Sequence, residues 1–260
     1  MRLPRRDLLR NPPALAVAGR VAFVLAVGSA PLASARAAAQ DPETSHQLWP
    51  EANVYVRLSD ASRLYFLLAS VRERDAETGE LSKISDIQVG AHIEFGLVPF
   101  GRRATLQARY DAHRLSYLRL RFGLRYQTSF DDDEPPRYEE WRGIVELTPR
   151  ASLPGGLLAA QRNRVDLRWI HGDFSWRYRP RLWLEREFRV GPQLALVPYG
   201  SAEVFWDSRY DDWVRTRYQL GAAVPLKPWL APEVYYAFQR DEQPTRSYTR
   251  ALGVVVALYF

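Results

Sequence analysis

The stretch Arg162–Glu187 reads RNRVDLRWIHGDFSWRYRPRLWLERE, with an arginine or a carboxylate at nearly every second position and Val, Leu, Trp or Tyr between. Successive side chains of a strand point to opposite faces, so this pattern puts charge on one face and hydrocarbon on the other. His171-Gly172-Asp173 interrupts it as a tight turn, and the segment reads as a hairpin.

The same period of two continues outward in both directions. Arg119, Arg121, Arg125 and Gln127 alternate with Leu118, Leu120, Phe122, Leu124 and Tyr126. Asp86, Gln88, His92 and Glu94 alternate with Ile87, Val89, Ala91, Ile93 and Phe95. Arg215, Arg217 and Gln219 alternate with Val214, Thr216, Tyr218 and Leu220. With turn signals between such runs, the pattern predicts strands over 47–58, 63–73, 85–97, 103–111, 115–129, 139–150, 156–169, 174–188, 193–206, 213–225, 229–239 and 250–260. No linker or shift of composition divides residues 40–260, which read as one domain.

A soluble sandwich would alternate too, with its arginines in water. Strand length argues against it, because many of these runs reach the roughly 9–11 residues that cross a bilayer when tilted, beyond the usual five or six of soluble sheets. Trp141, Trp169, Trp176, Trp206 and Trp213 fall at strand ends expected on one rim, with Trp49 and Trp229 expected on the other, as in an aromatic girdle. The expected fold is an all-β transmembrane antiparallel up-and-down barrel of about twelve strands. Register follows from energy: a slip of one residue in 117–127 would aim three arginines at acyl chains. At about 2–4 kcal/mol each that costs about 6–12 kcal/mol, comparable with a whole fold at about 5–15 kcal/mol.

Residues 1–39 read as a cleaved signal peptide, with Arg2, Arg5, Arg6 and Arg10, the apolar run 21–28 and Ala37-Ala38-Ala39 at the end. The chain carries 36 basic and 30 acidic residues, a net +6, but the leader holds six of the arginines and one acid. The remainder is close to neutral, so charge gives no argument for nucleic acid. The chain contains no cysteine, which excludes thiol catalysis, disulfides and Cys-ligated zinc.

Phe260 closes LGVVVALYF, where Leu252, Val254, Val256 and Leu258 share its face. A terminal Phe on an amphipathic last strand is similar to the assembly signal of Gram-negative outer-membrane barrels. ELTPRASL, RNRVDLRW, WRYRPRLWLER and AEVFWD, together with that closing strand, resemble the pattern of an outer-membrane barrel family called domain of unknown function 2490. The resemblance implies a location in the Gram-negative outer membrane with both termini periplasmic. It implies contact with outer-membrane lipids and lipopolysaccharide, and assembly by the barrel-assembly machinery and periplasmic chaperones. It brings no activity and no catalytic residues.

Folding the hairpins about their turns sets Asp166 opposite Arg177, Glu146 opposite Arg164, Arg179 opposite Glu203 and Arg215 opposite Asp241. Together with Arg119, Arg121, Arg125, Arg181, Glu185 and Arg217, these residues are expected to form a lumen network of ion pairs, for which the guanidinium fork is suited. Three functions fit such a lumen: a narrow or gated channel, a plugged structural or assembly barrel, and an enzyme at the outer rim. The channel is the first expectation, and the chain is expected not to be an enzyme. No cofactor, metal or catalytic set is expected. His92 with Glu94 reads as polar wall, His46 and His113 stand in no motif, and His171 with Asp173 near Asp207, Asp211 and Asp212 lacks a catalytic motif. The acidic segment 131–136 reads as a solvated outer loop.

Overall fold

The computed structural model describes residues 43–74, 80–99, 116–130, 138–191 and 194–260. The strands are β1 (Glu43–Arg57), β2 (Ser62–Arg74), β3 (Leu81–Pro99), β4 (Ser116–Ser129), β5 (Glu139–Leu153) and β6 (Leu157–Ile170). They continue as β7 (Asp173–Arg186), the two-residue β8 (Phe188–Arg189), β9 (Ala195–Asp207), β10 (Asp212–Ala223), β11 (Leu230–Asp241) and β12 (Ser247–Tyr259). Each long strand pairs with the next in sequence, β7 pairs directly with β9, and β12 returns to β1. Eleven strands therefore close the ring, and β8 pairs only with the start of β9.

Neighbours run antiparallel except at the seam. β1 and β12 are parallel from Glu43↔Ser247 to Tyr55↔Tyr259. The parity explains this: a meander with an odd number of strands starts and ends in the same direction, so its closing pair must be parallel. The expected strand at 103–111 lies outside the described residues, as does the expected leader at 1–39. Because β3 and β4 pair directly, Asp86↔Ser129 through Pro99↔Ser116, the ring closes with no strand between them. Parity also places the start of β1 and the end of β12 at opposite rims. The N-terminus, expected on the periplasmic side, lies outside the described residues.

One rim carries the turns at 171–172, 208–211 and 242–246; the other carries those at 58–61, 154–156 and 224–229, with Phe260. His171 and Gly172 both have positive φ, 51° and 94°, the signature of a two-residue type I′ hairpin. This turn holds the register of β6 on β7, with Asp166↔Arg177. The β7–β9 ladder is interrupted around Arg179-Pro180, since proline lacks a donor there.

Burial is inverted relative to a soluble sheet. Glu94, Glu140 and Asp166 have 0 % exposure, while Leu124 is 63 % and Leu220 71 % exposed. The outward face is a continuous hydrocarbon surface, and the inward face holds the charge. This is an outer-membrane-type β-barrel. Near the first rim the outer face bears aromatic pairs: Tyr126 with Trp141 at 4.9 Å, Trp169 with Phe174 at 5.4 Å and Trp176 with Trp206 at 4.4 Å. Trp229 is exposed at the second rim. Trp49, expected beside it in a girdle, instead faces the lumen, because it shares the strand face of Glu51 and Asn53.

Candidate functional site: the charged lumen

Alternation on β2 through β10 delivers the arginines to the interior, and four carboxylates gather them. Glu94 accepts from Arg63 Nε at 2.5 Å and Arg121 Nε at 2.6 Å, with Arg119 at 3.8 Å. Glu146 has Arg121 at 3.5 Å, Arg162 at 3.9 Å and Arg119 at 4.0 Å, and accepts from Thr148 Oγ1 at 3.3 Å. Glu203 accepts from Arg162 at 2.5 Å and Arg179 at 2.9 Å. Asp166 accepts from Arg164 at 2.5 Å, Arg177 at 3.1 Å and Arg179 at 3.4 Å.

Shared arginines fuse these hubs into one chain. Arg121 joins Glu94 to Glu146, Arg162 joins Glu146 to Glu203, and Arg179 joins Glu203 to Asp166. The physical reason is desolvation. A carboxylate with essentially no exposed surface is stable inside only when several charge-assisted bonds replace its water. Arg164 and Arg179 are direct cross-strand partners, a repulsive arrangement that Asp166 relieves by accepting from both.

A second cluster lies toward the first rim. Glu140 binds Arg142 and Arg168, and Asp207 accepts from Arg168 at 2.6 Å and from Arg209 at 3.0 Å. Tyr138, just before β5, donates to Glu140 at 2.5 Å. Burial, reinforced by that carboxylate, raises the Tyr138 phenol above its ordinary range. Arg215 pairs with Asp241, which also accepts from Gln239 at 2.7 Å.

Among the residues read from the sequence, Asp166 stands opposite Arg177, Glu146 opposite Arg164 and Arg215 opposite Asp241. The fourth register differs by two: Arg181, not Arg179, stands opposite Glu203. The connection between β7 and β9 folds back as β8, so it has no symmetric turn centre. Arg179 still reaches Glu203 diagonally. Arg119, Arg121, Arg164 and Arg177 belong to the fused network, whereas Arg125, Arg181 and Arg217 contact neutral acceptors: His92 at 3.2 Å, Gln219 and Gln239. Glu185 accepts from Trp183 Nε1 at 2.9 Å. The network expected from sequence omitted Arg63, Glu94, Glu140, Arg142, Arg162, Arg168 and Asp207, all on the charged face of their strands. Parity alone would have found them.

Beside the network the lumen keeps a cavity of about 720 Å³, which reaches the first rim at Tyr138, Arg209, Tyr210 and Gln243. Trp49, Trp183, Tyr199 and Tyr235 supply aromatic wall. Two glycines make room for rings laid flat on the barrel. A Cβ on Gly253 would lie 2.0 Å from the Tyr235 ring, and one on Gly123 2.0 Å from His92 Nδ1. His92 is thereby clamped between Gly123 and the Tyr65 ring, 4.9 Å between centroids. His171 sits in the hairpin turn with Tyr138 edge-on at 6.2 Å. Asp207 is occupied by its two arginines, and among the described residues no His, Asp and Glu cluster is arranged to hold a metal ion. His113 and the acidic segment 131–136 lie outside the described residues.

The model of the family described as protein of unknown function (DUF2490) matches residues 46–250. No curated protein matches the chain in sequence. Among solved structures, LpxR from Salmonella typhimurium is similar, with a TM-score of 0.44 and 14% identity, over 76% of this chain and 83% of that one. A likeness at that level carries no argument about activity.

Proposed function

The chain belongs to the DUF2490 family, and we propose that it serves in the outer membrane as a narrow or gated channel for small ions. The observation that carries this reading is the lumen itself. A cavity of about 720 Å³ enters from one rim and is flanked by a chain of ion pairs that occupies much of the remaining interior. Conduction needs polar groups and room for a partly hydrated ion, and the volume and the charged lining of this cavity supply both in the part of the lumen that it occupies. The rim bearing Phe260 faces the periplasm in this reading, with the last strand read by the assembly machinery. The aromatic band at the opposite rim then meets the lipopolysaccharide leaflet.

A plugged structural barrel is the second reading, favoured by the near-zero exposure of Glu94, Glu146 and Asp166. Planar-bilayer recording of the purified protein separates the two. The channel reading expects small unitary currents with little preference between anions and cations. Silence over long recordings favours the plugged barrel, and large, strongly anion-selective currents contradict a lumen filled by paired charge.

A further inference from the structure

The cavity wall built by β7, β9 and β10 holds more positive charge than its carboxylates neutralise. Arg177, Arg179, Arg181, Arg215 and Arg217 face it, and the carboxylates they contact are Asp166, Glu203 and Asp241. Asp166 is also held by Arg164, and Glu203 by Arg162. Three arginines thus meet on Asp166, and Arg162 and Arg179 both take Glu203 at Oε1. Arg181 and Arg217 are left with no carboxylate oxygen: each flanks Glu203 in the ladder, yet their hydrogen bonds go to the amide oxygens of Gln219 and Gln239. Arg181 Nε is buried with no acceptor at all.

Geometry concentrates this excess. Around the single buried ring of Phe205 stand the guanidinium carbons of Arg179 at 4.4 Å, Arg217 at 5.3 Å, and Arg177 and Arg215 at 5.5 Å. Arg217 also lies 4.9 Å from the Trp49 centroid, and Arg181 lies 4.5 Å from that of Trp183. Aromatic faces hold the planar forks in place and leave N–H edges for another acceptor. Like charges this close are stable together when an anion shared between them replaces lost water.

We propose that this wall of the lumen cavity is a binding site for a multivalent oxyanion, phosphoryl or carboxylate, gripped by Arg181 and Arg217. The cavity volume lies within the roughly 300–1,000 Å³ of small-molecule sites. That leaves space for an organic frame against Trp49 and Trp183 beside the charged group. The site goes beyond the channel reading, since it is a binding site in the lumen wall and not the conducting path, and it stands if the barrel binds without conducting.

The test is isothermal titration calorimetry on the full chain folded in detergent micelles, with inorganic pyrophosphate and citrate as probes and chloride as control. One-to-one binding of either multivalent probe, weakened by salt, is expected. Preference between the two tells a phosphoryl from a carboxylate ligand. Arg217→Gln and Arg181→Gln should each weaken binding about ten- to hundredfold, the loss of a charge-assisted contact. Neither variant breaks an ion pair, so both are expected to fold, and each reports independently of the other. Arg57→Gln, at the exposed second-rim turn, should leave binding unchanged. No binding of either probe, or wild-type affinity in both lumen variants, overturns the proposal. Because calorimetry requires no current, a silent bilayer with intact binding removes only the channel.

Discussion

Replacing Asp166 by Asn should destabilise the barrel far more than loss of one charge at its rim. Asp166 has 0 % exposure and accepts from three arginines, of which Arg164 is 2 %, Arg179 7 % and Arg177 8 % exposed. Removing one partner of a buried pair costs about 3–5 kcal/mol. The amide oxygen of Asn still accepts one bond, so the lower end, about 3 kcal/mol, is expected. That is more than a hundredfold in the folded-to-unfolded ratio, and a large part of a stability of about 5–15 kcal/mol. Urea unfolding of the protein refolded into lipid vesicles, followed by tryptophan fluorescence, measures the shift in midpoint. Asp60→Asn is the control, because Asp60 pairs with Arg57 in an exposed turn where such pairs contribute at most about 1 kcal/mol. If Asp166→Asn moves the midpoint no further than Asp60→Asn, the buried hubs do not hold the wall together.

Deleting Phe260 should block assembly, because its N–H donates to Tyr55 O at 2.8 Å and its carbonyl accepts from Arg57 N at 2.8 Å across the seam. A truncated chain that still reaches the membrane in the heat-shifted, folded form contradicts this role. For the register, paired cysteines at Asp166 and Arg177 should form a crosslink read as a mobility change. At the β7–β9 ladder, the pair at Arg181 and Glu203 should crosslink more readily than the pair at Arg179 and Glu203. The reverse order would restore the symmetric turn expected from sequence.

The fold was legible because a bilayer imposes one rule on every strand. Arg119, Arg121 and Arg125 cannot share a face with Leu120 and Leu124, and that constraint is local enough to be read residue by residue. The strand count and the seam are global properties. Whether the region between β3 and β4 contributes a strand decides parity, and parity decides that β1 meets β12 in parallel. No local pattern encodes that. The network was legible to the same extent. Tight turns such as His171-Gly172 transmit register faithfully, so Asp166 and Arg177 were placed opposite each other. The β7–β9 connection, with β8 folded back and Pro180 interrupting the ladder, did not transmit it. The sequence also suggested one-to-one pairs, whereas the lumen brings diagonal neighbours within reach and makes Asp166 and Glu94 hubs for several arginines each. Trp49 was misplaced for a different reason. Tryptophan near a strand end suggests the membrane interface, but parity with Glu51 turns it inward, onto Arg217.

The claim that paired charges fill the lumen is tested most directly by the conductance of the Arg177→Ser/Arg179→Ser double variant in a planar bilayer. The substitutions remove two long side chains from the wall and leave Asp166 with Arg164, and Glu203 with Arg162, as their remaining close partners. Unitary current should rise above wild type, and the reversal potential in a salt gradient should move toward cations. Current and selectivity identical to wild type would mean that ions do not pass this network, and would contradict the account.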